Sequence, residues 1–546
     1  MTSQRALGIA WRWGPPVLLI ALSSALFAYL LARFPYNGLY GQDAYAYFYQ
    51  AEALWRELTG QPQPPFALFS ANGLYWPVGY HLHLLPGFFL GWPEAGRVLT
   101  LALAALTPAV LYKVVGELWH TATTWERTFA GLVSGAVLLL TGTYTRTGLS
   151  LMSDVPAVFW GVLSIYCCLR AWPPLERAEG RRAGNLWALG AGLSLGLAVL
   201  VRYSSALLVP AVSLYVAARL YSYRKHQLLQ EAKGIQRLWQ PALLLALVGV
   251  AVALSPQVAY ALAHDPGPAL RAWSVENLFS KTVTGPDGTS TFSQPMIVFY
   301  LLSTLANVGT GFLSPFYLLS LALGIWLLVR QSDLAVLLLL FPWWFISVLA
   351  YSGTTYQAHR FALTFMPALA LLIGVGTSFV ASRLREEVLR RRTVGGIQWG
   401  RTTTAATLVL ACVGIGLVQG WRSVEQWAAT HSAFNEQEQQ VVGLARGTVA
   451  ATGEQGTPRA VSFGFSAPLY HYTHWPILDF FLHDEADIQQ FLAAPEPHIL
   501  VLPEESMSTQ WAGTPSAARW QWIQRNYKLT LQGTSGAFTV YRIDRR

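Results

Sequence analysis

The chain has 546 residues, of which 53% are hydrophobic and only 12% are charged, whereas an ordinary soluble domain carries about 25% charged residues. So few charged side chains cannot coat a soluble particle of this size, and this excludes an ordinary soluble protein. Long uncharged apolar runs and a mean hydropathy of +0.36 predict a polytopic α-helical membrane protein. A formal net charge of +9 is typical either of a protein that binds nucleic acid or of a membrane protein with basic cytoplasmic loops. The positions of the basic residues decide between these two classes.

Eleven apolar runs are long enough, or nearly so, to cross about 30 Å of hydrocarbon. They cover 15–33, 98–115, 129–145, 155–170, 185–201, 203–219, 240–263, 315–330, 334–351, 361–382 and 402–421. Two further stretches, His81–Trp92 and Met296–Phe312, are predicted to be re-entrant or interfacial, because the first is short and the second breaks at Asn307-Val-Gly-Thr-Gly. We therefore expect about 11 spans, within a range of about 11 to 13.

The basic residues indicate the orientation of these spans. With a cytoplasmic N-terminus, the loops on the cytoplasmic side hold twenty of the 37 Lys and Arg residues, and the opposite membrane loops hold eight. Such an asymmetry is typical of a membrane protein whose positive loops stay inside. Because no nucleic-acid motif accompanies the basic residues, we expect no nucleic-acid partner.

The composition changes after Gly420. Residues 422–452 have the pattern of a mostly polar helix. Apolar β-type runs follow at Ala460–Phe465, His498–Leu502 and Phe538–Ile543. This alternation predicts a small soluble α/β domain at the end of the chain.

The predicted organisation is therefore a transmembrane domain over 1–421 and an α/β domain over 422–546. The number of spans places the second domain outside the cytoplasm. It shares that face with two long outer loops, 34–97 and 264–295.

Two carboxylates lie on the predicted outer face. Asp43 follows Gly41 at the start of an aromatic, helix-like run, and Asp154 lies between the third and fourth spans in Met152-Ser-Asp-Val-Pro156. Capping of helix N-termini explains both residues without any chemistry. In the functional interpretation, Asp43 is a general base for an acceptor hydroxyl that attacks a sugar carbon. The proposed chemistry requires no cofactor. Paired carboxylates are also ligands for divalent cations, so the sequence is compatible with a bound divalent metal ion.

Cationic side chains share this face. Arg146, Arg202 and the pair His359-Arg360 lie at the ends of predicted spans. In the simplest interpretation, each is an interfacial residue whose charged group extends to the membrane surface and has no catalytic role. Alternatively, they stabilise the negative charge that a leaving phosphate gains, and on this interpretation they are donor phosphate ligands.

Neither the histidines nor the cysteines form a convincing metal site. His81 and His83 point apart on a helix with no acidic ligand nearby, and His471 and His474 have helical spacing but lie in the predicted terminal domain. The three cysteines lie inside apolar runs and have no CxxC spacing. No phosphate-binding glycine loop, nucleophile elbow or HExxH motif is present.

Five short motifs follow one another in a characteristic order. They are Gly41-Gln-Asp43-Ala-Tyr45, Tyr75-Trp-Pro77-Val-Gly-Tyr80, Arg146-Thr-Gly-Leu-Ser-Leu-Met-Ser-Asp154, Gly192–Arg202 and His359-Arg360-Phe. In order and spacing, over about residues 10–420, the chain resembles the GT-C superfamily of membrane glycosyltransferases. It is most similar to the branch of the protein O-mannosyltransferases and the lipid A aminoarabinose transferase.

The resemblance implies an enzyme of the cell envelope, in the bacterial inner (plasma) membrane with its N-terminus in the cytoplasm. It implies inverting transfer of a sugar from a polyprenyl-phosphate donor, on the outer face. Asp43 corresponds to the first-loop catalytic carboxylate and Asp154 to the second acidic position, while Arg202 and Arg360 match candidate phosphate contacts. The chain departs from many relatives at Ala44, where they carry a second acid.

The acceptor is left open as a lipid, a glycan or a protein. Four aromatic residues are candidates for sugar or acceptor contact, although aromatic residues are also common at membrane interfaces: Tyr45, Tyr75, Trp76 and Tyr80. Two alternatives remain: a transporter or flippase of a lipid-linked sugar, and a non-catalytic glycan-binding scaffold. A transporter needs ionisable residues or broken helices near the bilayer midplane, and the spans carry their charges at the ends.

Overall fold

The computed structural model describes most of the chain as two compact units. The described residues are 2–62, 76–174, 181–230, 236–263, 274–285, 288–292, 298–300, 313–331, 333–354, 358–394, 401–452 and 456–545. The first unit comprises Met1–Arg33, Asn72–Phe279 and Gln294–Ala428. The second comprises Phe34–Ala71, Ser280–Ser293 and Ala429–Arg546.

Helices dominate the described chain. In chain order they are α1 (Thr2–Arg33), α2 (Gly41–Thr59), α3 (Val78–Phe89), α4 (Ala95–Leu118), α5 (Thr124–Leu139), α6 (Gly142–Leu149), α7 (Asp154–Ala171), α8 (Arg181–Val201), α9 (Leu208–Gln230), α10 (Gln236–Ala263), α11 (Leu318–Gln331), α12 (Leu334–Gly353), α13 (Met366–Val394), α14 (Arg401–Thr452), α15 (Ser466–Thr473), α16 (Glu485–Leu492), α17 (Glu504–Ser508) and α18 (Pro515–Asn526). Short 3₁₀ turns stand at Tyr203–Leu207, Glu276–Leu278, Pro315–Tyr317 and His359–Thr364.

The helices confirm the predicted membrane protein. Among the described residues, nine helices are long and apolar enough to cross a membrane. The pair α5 and α6, bent by 63°, passes the same test when taken together, and Pro315–Gln331 is a shorter apolar helix. Nine of the eleven predicted spans coincide with the nine long helices, whereas 129–145 overlaps the bent pair and 315–330 overlaps the shorter helix. The chain is therefore an integral membrane protein.

The two doubtful stretches have different outcomes. His81–Trp92 forms most of α3, a helix of 12 residues that is about 18 Å long and too short to span. Most of Met296–Phe312, with its break at Asn307, lies outside the described residues.

Small residues allow the helices of the first unit to approach closely. A Cβ added to Gly192 of α8 would lie 1.9 Å from the carbonyl oxygen of Ala246 on α10. On the facing helix, a Cβ on Gly249 would lie 2.7 Å from the carbonyl oxygen of Leu189. Close backbone contact through glycine is a common way to pack helices in membranes, where lipid offers no hydrophobic drive for association.

Polar side chains mark both ends of the helix bundle in the first unit. At the C-terminal end of α7, Arg170 Nη1 lies 3.2 Å from Glu117 Oε1 of α4. Arg219 Nη2 of α9 lies 2.8 Å from Asp333 Oδ2, which caps α12. At the opposite end, the N-terminus of α7 lies beside the residue that follows α8. Segments that the sequence analysis assigns to the same side of the membrane thus lie at the same end of this helix bundle.

The second unit contains a mixed five-stranded sheet. Its strands are β3 (Arg459–Ser462), β4 (Ile477–Asp479), β5 (His498–Leu502), β6 (Tyr527–Ser535) and β7 (Phe538–Arg545), in the order β4-β3-β5-β7-β6. β3 is parallel to both β4 and β5, with Val461 opposite Leu478 and Leu500. β7 is antiparallel to β5 and β6. A separate hairpin joins β1 (Lys281–Gly285) to β2 (Gly288–Phe292).

The sheet confirms the predicted α/β composition of the terminal region. The three apolar runs predicted as strands overlap β3, β5 and β7. Aromatic residues fill the core beside them: the rings of Phe463 and Phe480 stack with centroids 5.1 Å apart, and Trp511 meets Phe463 edge-on. Burial of such large apolar side chains is the main source of stability for a small sheet domain.

Helix α14 is 52 residues long, which corresponds to about 78 Å. A span needs only about 20 residues, and the apolar run 402–421 supplies them. The predicted domain boundary at 421–422 and the boundary of the compact units at 428–429 both fall inside this helix. Helix α2, from the first predicted outer loop, belongs to the second unit.

Candidate functional site

Asp154 is the first residue of α7, as its sequence context predicts. Ser153 precedes the helix, and Pro156 lies in its first turn, where a missing backbone N–H costs nothing. The positive end of the helix dipole favours a carboxylate at this point. The side chain of Asp154 is nevertheless only 2% exposed, so the helix terminus alone does not offset the cost of burying its charge.

Arg202 supplies the compensating charge. Its Nη1 lies 3.1 Å from Asp154 Oδ1 and also donates a hydrogen bond to Ser153 Oγ at 3.2 Å. Its Nε donates to Ser204 Oγ at 3.1 Å. Within the described residues, Asp154 Oδ2 is buried without a hydrogen-bond partner. The ion pair is thus held on the arginine side by two hydroxyls, while one carboxylate oxygen keeps its capacity to accept.

Two aromatic rings and a threonine hydroxyl also surround Arg202. Its guanidinium carbon lies 5.5 Å from the ring centroid of Phe361, within the range of a cation–π contact. Tyr351 stacks on Phe361 with centroids 5.0 Å apart, and its hydroxyl lies 2.6 Å from Thr364 Oγ1. These contacts hold the guanidinium in one orientation.

A narrow cleft opens beside this ion pair. Its charged lining residues are Asp154, Arg202 and Arg360, so the lining carries a net charge of +1. Below them the wall is mostly apolar: Ala157, Val158, Gly161, Val162, Leu208, Trp343, Leu363 and Pro367. The free volume is about 20 Å³, enough for a water molecule but not for a sugar. Chemically, a positive rim above an apolar wall suits an anion that carries a hydrocarbon tail, once the cleft widens.

The remaining predicted cations lie in the same unit. Arg360 Nη1 is 3.9 Å from Met152 Sδ, just before Asp154. Arg146, on α6, places its guanidinium carbon 4.5 Å from the ring centroid of Trp427. His359 stacks on Phe299 at 5.0 Å. Burial, aided by the charge of Arg146, lowers the pKa of His359, so its imidazole is neutral at pH 7.

Asp43 belongs to the second unit, where it lies in the first turn of α2. The helix begins at Gly41, whose φ of +67° is in the left-handed region that favours glycine. Asp43 is half-buried. As with Asp154, the position near a helix N-terminus agrees with the sequence prediction, and the helix dipole favours its charge.

The predicted aromatic contacts have different surroundings. Tyr80 is fully buried, with its hydroxyl 3.2 Å from Thr100 Oγ1 and its ring stacked on His83. Tyr45 is fully buried in the second unit, and its hydroxyl donates to Glu438 Oε2 at 2.9 Å. Trp76 is half-buried, and Tyr75 lies outside the described residues. As they stand, the rings of Tyr45 and Tyr80 have no surface on which a sugar could stack.

The histidine pairs make ordinary hydrogen bonds. His81 Nδ1 lies 3.1 Å from the carbonyl oxygen of Pro77, and His83 Nε2 lies 3.3 Å from Thr100 Oγ1. His471 Nδ1 lies 2.8 Å from the hydroxyl of Tyr49. Across the part of the chain that the structure describes, no three His, Cys, Asp or Glu side chains are grouped to hold a metal ion.

Sequence reasoning missed three features of these surroundings. The hydroxyls of Ser153 and Ser204 accept hydrogen bonds from Arg202. Ser153 directly precedes Asp154 and Ser204 lies two residues after Arg202, so their positions in the sequence could have indicated this role. Phe361, whose ring contacts the Arg202 guanidinium, directly follows the His359-Arg360 pair and could have been identified in the same way. Glu438 gave no signal, because it lies in a polar stretch that also contains the exposed Glu436.

Comparison with known proteins agrees with this architecture. Residues 94–262 match the family model of the dolichyl-phosphate-mannose-protein mannosyltransferases. This segment includes Arg146, Asp154 and Arg202. No curated protein sequence matches the chain.

Solved structures resemble the chain over nearly its whole length. ArnT from Cupriavidus metallidurans in the apo state has a TM-score of 0.59 at 13% identity, and the match covers 96% of this chain and 97% of that one. The same protein bound to undecaprenyl phosphate has a TM-score of 0.57 at 14% identity, covering 97% and 98%. The oligosaccharyltransferase AglB from Archaeoglobus fulgidus, in complex with an inhibitory peptide and a dolichol-phosphate, has a TM-score of 0.52 at 13% identity, covering 96% and 74%.

At these identities the likeness is one of fold, and it extends through the terminal sheet as well as the helix bundle. Together with the matched segment 94–262, it confirms the resemblance that the order of the five motifs predicts. The chain has the fold of the GT-C membrane glycosyltransferases.

Proposed function

We propose that this protein is a polyprenyl-phosphate-dependent glycosyltransferase that moves a sugar, with inversion, to a lipid, glycan or protein acceptor. The observation that carries the proposal is the cleft beside Asp154 and Arg202. Its lining has a net positive rim and an apolar wall, which is the chemistry that a phosphate on a hydrocarbon chain requires. The similarity to ArnT, which binds undecaprenyl phosphate in one structure, supports the same class of donor.

In this mechanism Asp43 is the general base. It takes the proton of an acceptor hydroxyl while the hydroxyl oxygen forms a bond to the anomeric carbon of the sugar. The bond between that carbon and the phosphate oxygen breaks, and the lipid phosphate leaves with an added negative charge. Attack on the face opposite the leaving group inverts the anomeric configuration.

The cations stabilise the departing phosphate. Arg202 is already oriented by Ser153, Ser204 and Asp154, so it loses little freedom when it binds an anion. Arg360 supplies a second guanidinium on the same cleft. Arg146 and neutral His359 are further candidate phosphate contacts, the imidazole as a hydrogen-bond donor and not as a charge. Asp154 orients Arg202 and keeps one oxygen for a substrate hydroxyl.

The proposal needs no bound cofactor. Addition of EDTA is expected to leave transfer unchanged, since the guanidinium groups supply the positive charge that a metal would bring. Loss of activity that Mg²⁺ or Mn²⁺ restores would instead assign part of that role to a divalent cation.

We also propose that the reaction occurs outside the cytoplasm of a bacterial inner membrane. The support is the excess of Lys and Arg in the loops assigned to the cytoplasmic side. Single cysteines placed at Glu436 and at Arg383, both exposed, test the orientation in intact spheroplasts. Membrane-impermeant maleimide should label the first and not the second, and the reverse pattern would invert the topology.

The decisive experiment is transfer from a radiolabelled polyprenyl-phosphate sugar by the purified protein and by its Asp43→Asn variant. Asparagine keeps the size of the side chain and removes the base, so the rate is expected to fall by roughly 10²–10⁴-fold. Donor affinity, measured separately, should change little. An active Asp43→Asn variant would reject this mechanism, and movement of donor across vesicles without transfer would favour the transporter.

A further inference from the structure

Glu438 is a buried acid that the mechanism above does not use. It lies on α14 within the second unit, and its residue exposure is 1%. Its Oε2 accepts hydrogen bonds from the hydroxyl of Tyr45 at 2.9 Å and from Asn435 Nδ2 at 3.1 Å. Among the described residues, its Oε1 is buried without a hydrogen-bond partner. Burying a carboxyl group is costly, and the two hydrogen bonds to its Oε2 offset part of that cost.

The partner Tyr45 lies two residues after Asp43, which is in the first turn of α2. Successive residues of a helix are rotated by about 100°, so the side chains of Asp43 and Tyr45 leave the helix about 160° apart. Tyr45 is fully buried, whereas Asp43 is half-buried. Fixing the hydroxyl of Tyr45 therefore fixes the rotation of α2 about its axis, and with it the direction of Asp43.

The same residues also hold the segment that leads into α2. Asn435 Nδ2 donates a second hydrogen bond, to the hydroxyl of Tyr472 on α15, at 3.1 Å. Asn37 Nδ2 donates to the same hydroxyl at 3.0 Å. The ring of Tyr40, the residue before the helix, lies 4.1 Å from that of His431 on α14. The N-terminal end of α2 is thus attached both through Tyr45 and through the residues just before the helix.

The surroundings of Glu438 determine its protonation state. Among the described residues, Tyr45 from α2, Asn435 from its own helix and Tyr472 from α15 interact with it, and the ring of His471 lies 5.6 Å from that of Tyr45. Burial raises the pKa of Glu438 to about 8, in spite of the hydrogen bonds from Tyr45 and Asn435. At pH 7 the group is therefore mainly a neutral acid whose Oε2 accepts both bonds.

We propose that Glu438 is a positioning residue that holds Tyr45 and thereby aims the carboxylate of Asp43 at the acceptor. The inference rests on the proposed function, in which Asp43 is the base. It also assigns a role to residues 429–546, because they carry the side chains that orient the helix of the base. Glu438 itself touches no substrate.

The test compares Glu438→Ala, Glu438→Gln and Tyr45→Phe with the wild type. Glu438→Ala and Tyr45→Phe should each lower kcat by roughly 10- to 100-fold, the size of effect that a small misplacement of a catalytic group produces. Donor Kd should stay unchanged, which also reports that the first unit is folded. Glu438→Gln should recover most of the rate at pH 7, because its amide oxygen accepts both bonds. Glu436→Gln, an exposed acid on the same helix, is the matched control and should behave as the wild type.

Two further readouts separate positioning from general stability. Ionisation of Glu438 places an uncompensated charge in a buried site, which favours opening of its contact with Tyr45, so the wild-type rate should fall as pH rises through about 8, the pKa of Glu438. Glu438→Gln should lack that step, because glutamine does not titrate. In the Asp43→Asn background, Glu438→Ala should cost nothing more, because its effect passes through the lost base. Additive losses, or full activity of Glu438→Ala, would overturn the positioning role while an inactive Asp43→Asn still supports the proposed function. Full activity of Asp43→Asn would overturn both.

Discussion

The guanidinium of Arg202 lies 3.1 Å from the carboxylate of Asp154, and the two side chains are 16% and 2% exposed. The contact joins the first residue of α7 to the residue after α8. Hydroxyls from Ser153 and Ser204 accept hydrogen bonds from the same guanidinium. A buried pair of this kind fixes a charge in place, and removal of either partner leaves an uncompensated ion.

Breaking this pair should therefore cost more than breaking an exposed one. We expect Asp154→Asn and Arg202→Gln to show a coupling energy of about 2 kcal/mol in a double-mutant cycle. The measurement is unfolding in detergent with SDS as the denaturant. The exposed pair Arg383–Glu386, at 58% and 67% exposure, is the control, and its coupling should be below about 1 kcal/mol. Equal coupling for the two pairs would mean that the Asp154 site is open to water.

Replacement of Arg360 by alanine should weaken donor binding. A charge-assisted hydrogen bond to a phosphate contributes about 1.5–3 kcal/mol, so we expect Kd for a polyprenyl phosphate to rise by roughly 10- to 100-fold. Arg330, the matched control, is an exposed arginine near the end of α11 that lies over Trp326. Its alanine variant should bind as the wild type does. If the two variants weaken binding equally, the cleft beside Asp154 is not the phosphate site.

Glu438 should make the second unit lose stability as the pH rises. Its pKa is about 8 in the folded protein, whereas the ordinary value is 4.5, so over this interval the folded chain holds a proton that the unfolded chain has released. The stability that this proton provides is fully present below pH 4.5 and declines by about 1.4 kcal/mol per pH unit up to pH 8.

Hydrogen exchange of the α2 amides measures this dependence within the intact chain. The protection of wild-type α2 should decrease between pH 5 and 8, after correction for the intrinsic exchange rate. Glu438→Gln should remove the decrease, because glutamine does not titrate. A wild-type profile parallel to that of the variant would show that Glu438 is ionised in the folded protein.

Gly192 should not tolerate even one methyl group. A Cβ there would lie 1.9 Å from the carbonyl oxygen of Ala246, so α8 and α10 would have to separate. We expect Gly192→Ala to destabilise the protein by about 1–3 kcal/mol, as overpacking does. Gly414→Ala is the control, since nothing lies within 4 Å of its added Cβ, and it should be neutral or slightly stabilising. Equal thermal stability of the two variants would contradict the close approach.

Much of the architecture could be predicted from the sequence. Hydropathy is a local property of a run of residues, and among the described residues nine of the eleven predicted spans coincide with a helix long enough to cross a membrane. The same holds for the start of α7 at Asp154, because a carboxylate that follows serine and stands two residues before proline favours a helix N-terminus. The terminal strands β3, β5 and β7 were visible as short apolar runs, whereas β4 and β6 were not, since three residues or an exposed edge leave little apolar signal.

Only the tertiary structure decided which side chains interact with one another and which are buried. Arg202 was one of several arginines at span ends, and its pairing with Asp154 depends on how α7 and α8 pack. Tyr45 and Tyr80 have the residue type of an interfacial ring, but both are fully buried because distant segments cover them. Glu438 looks like any polar residue of a helix until Tyr45 and Asn435 are placed against it. Local sequence determines where a helix begins and which lengths are apolar, whereas the environment of a side chain depends on residues far away in the chain.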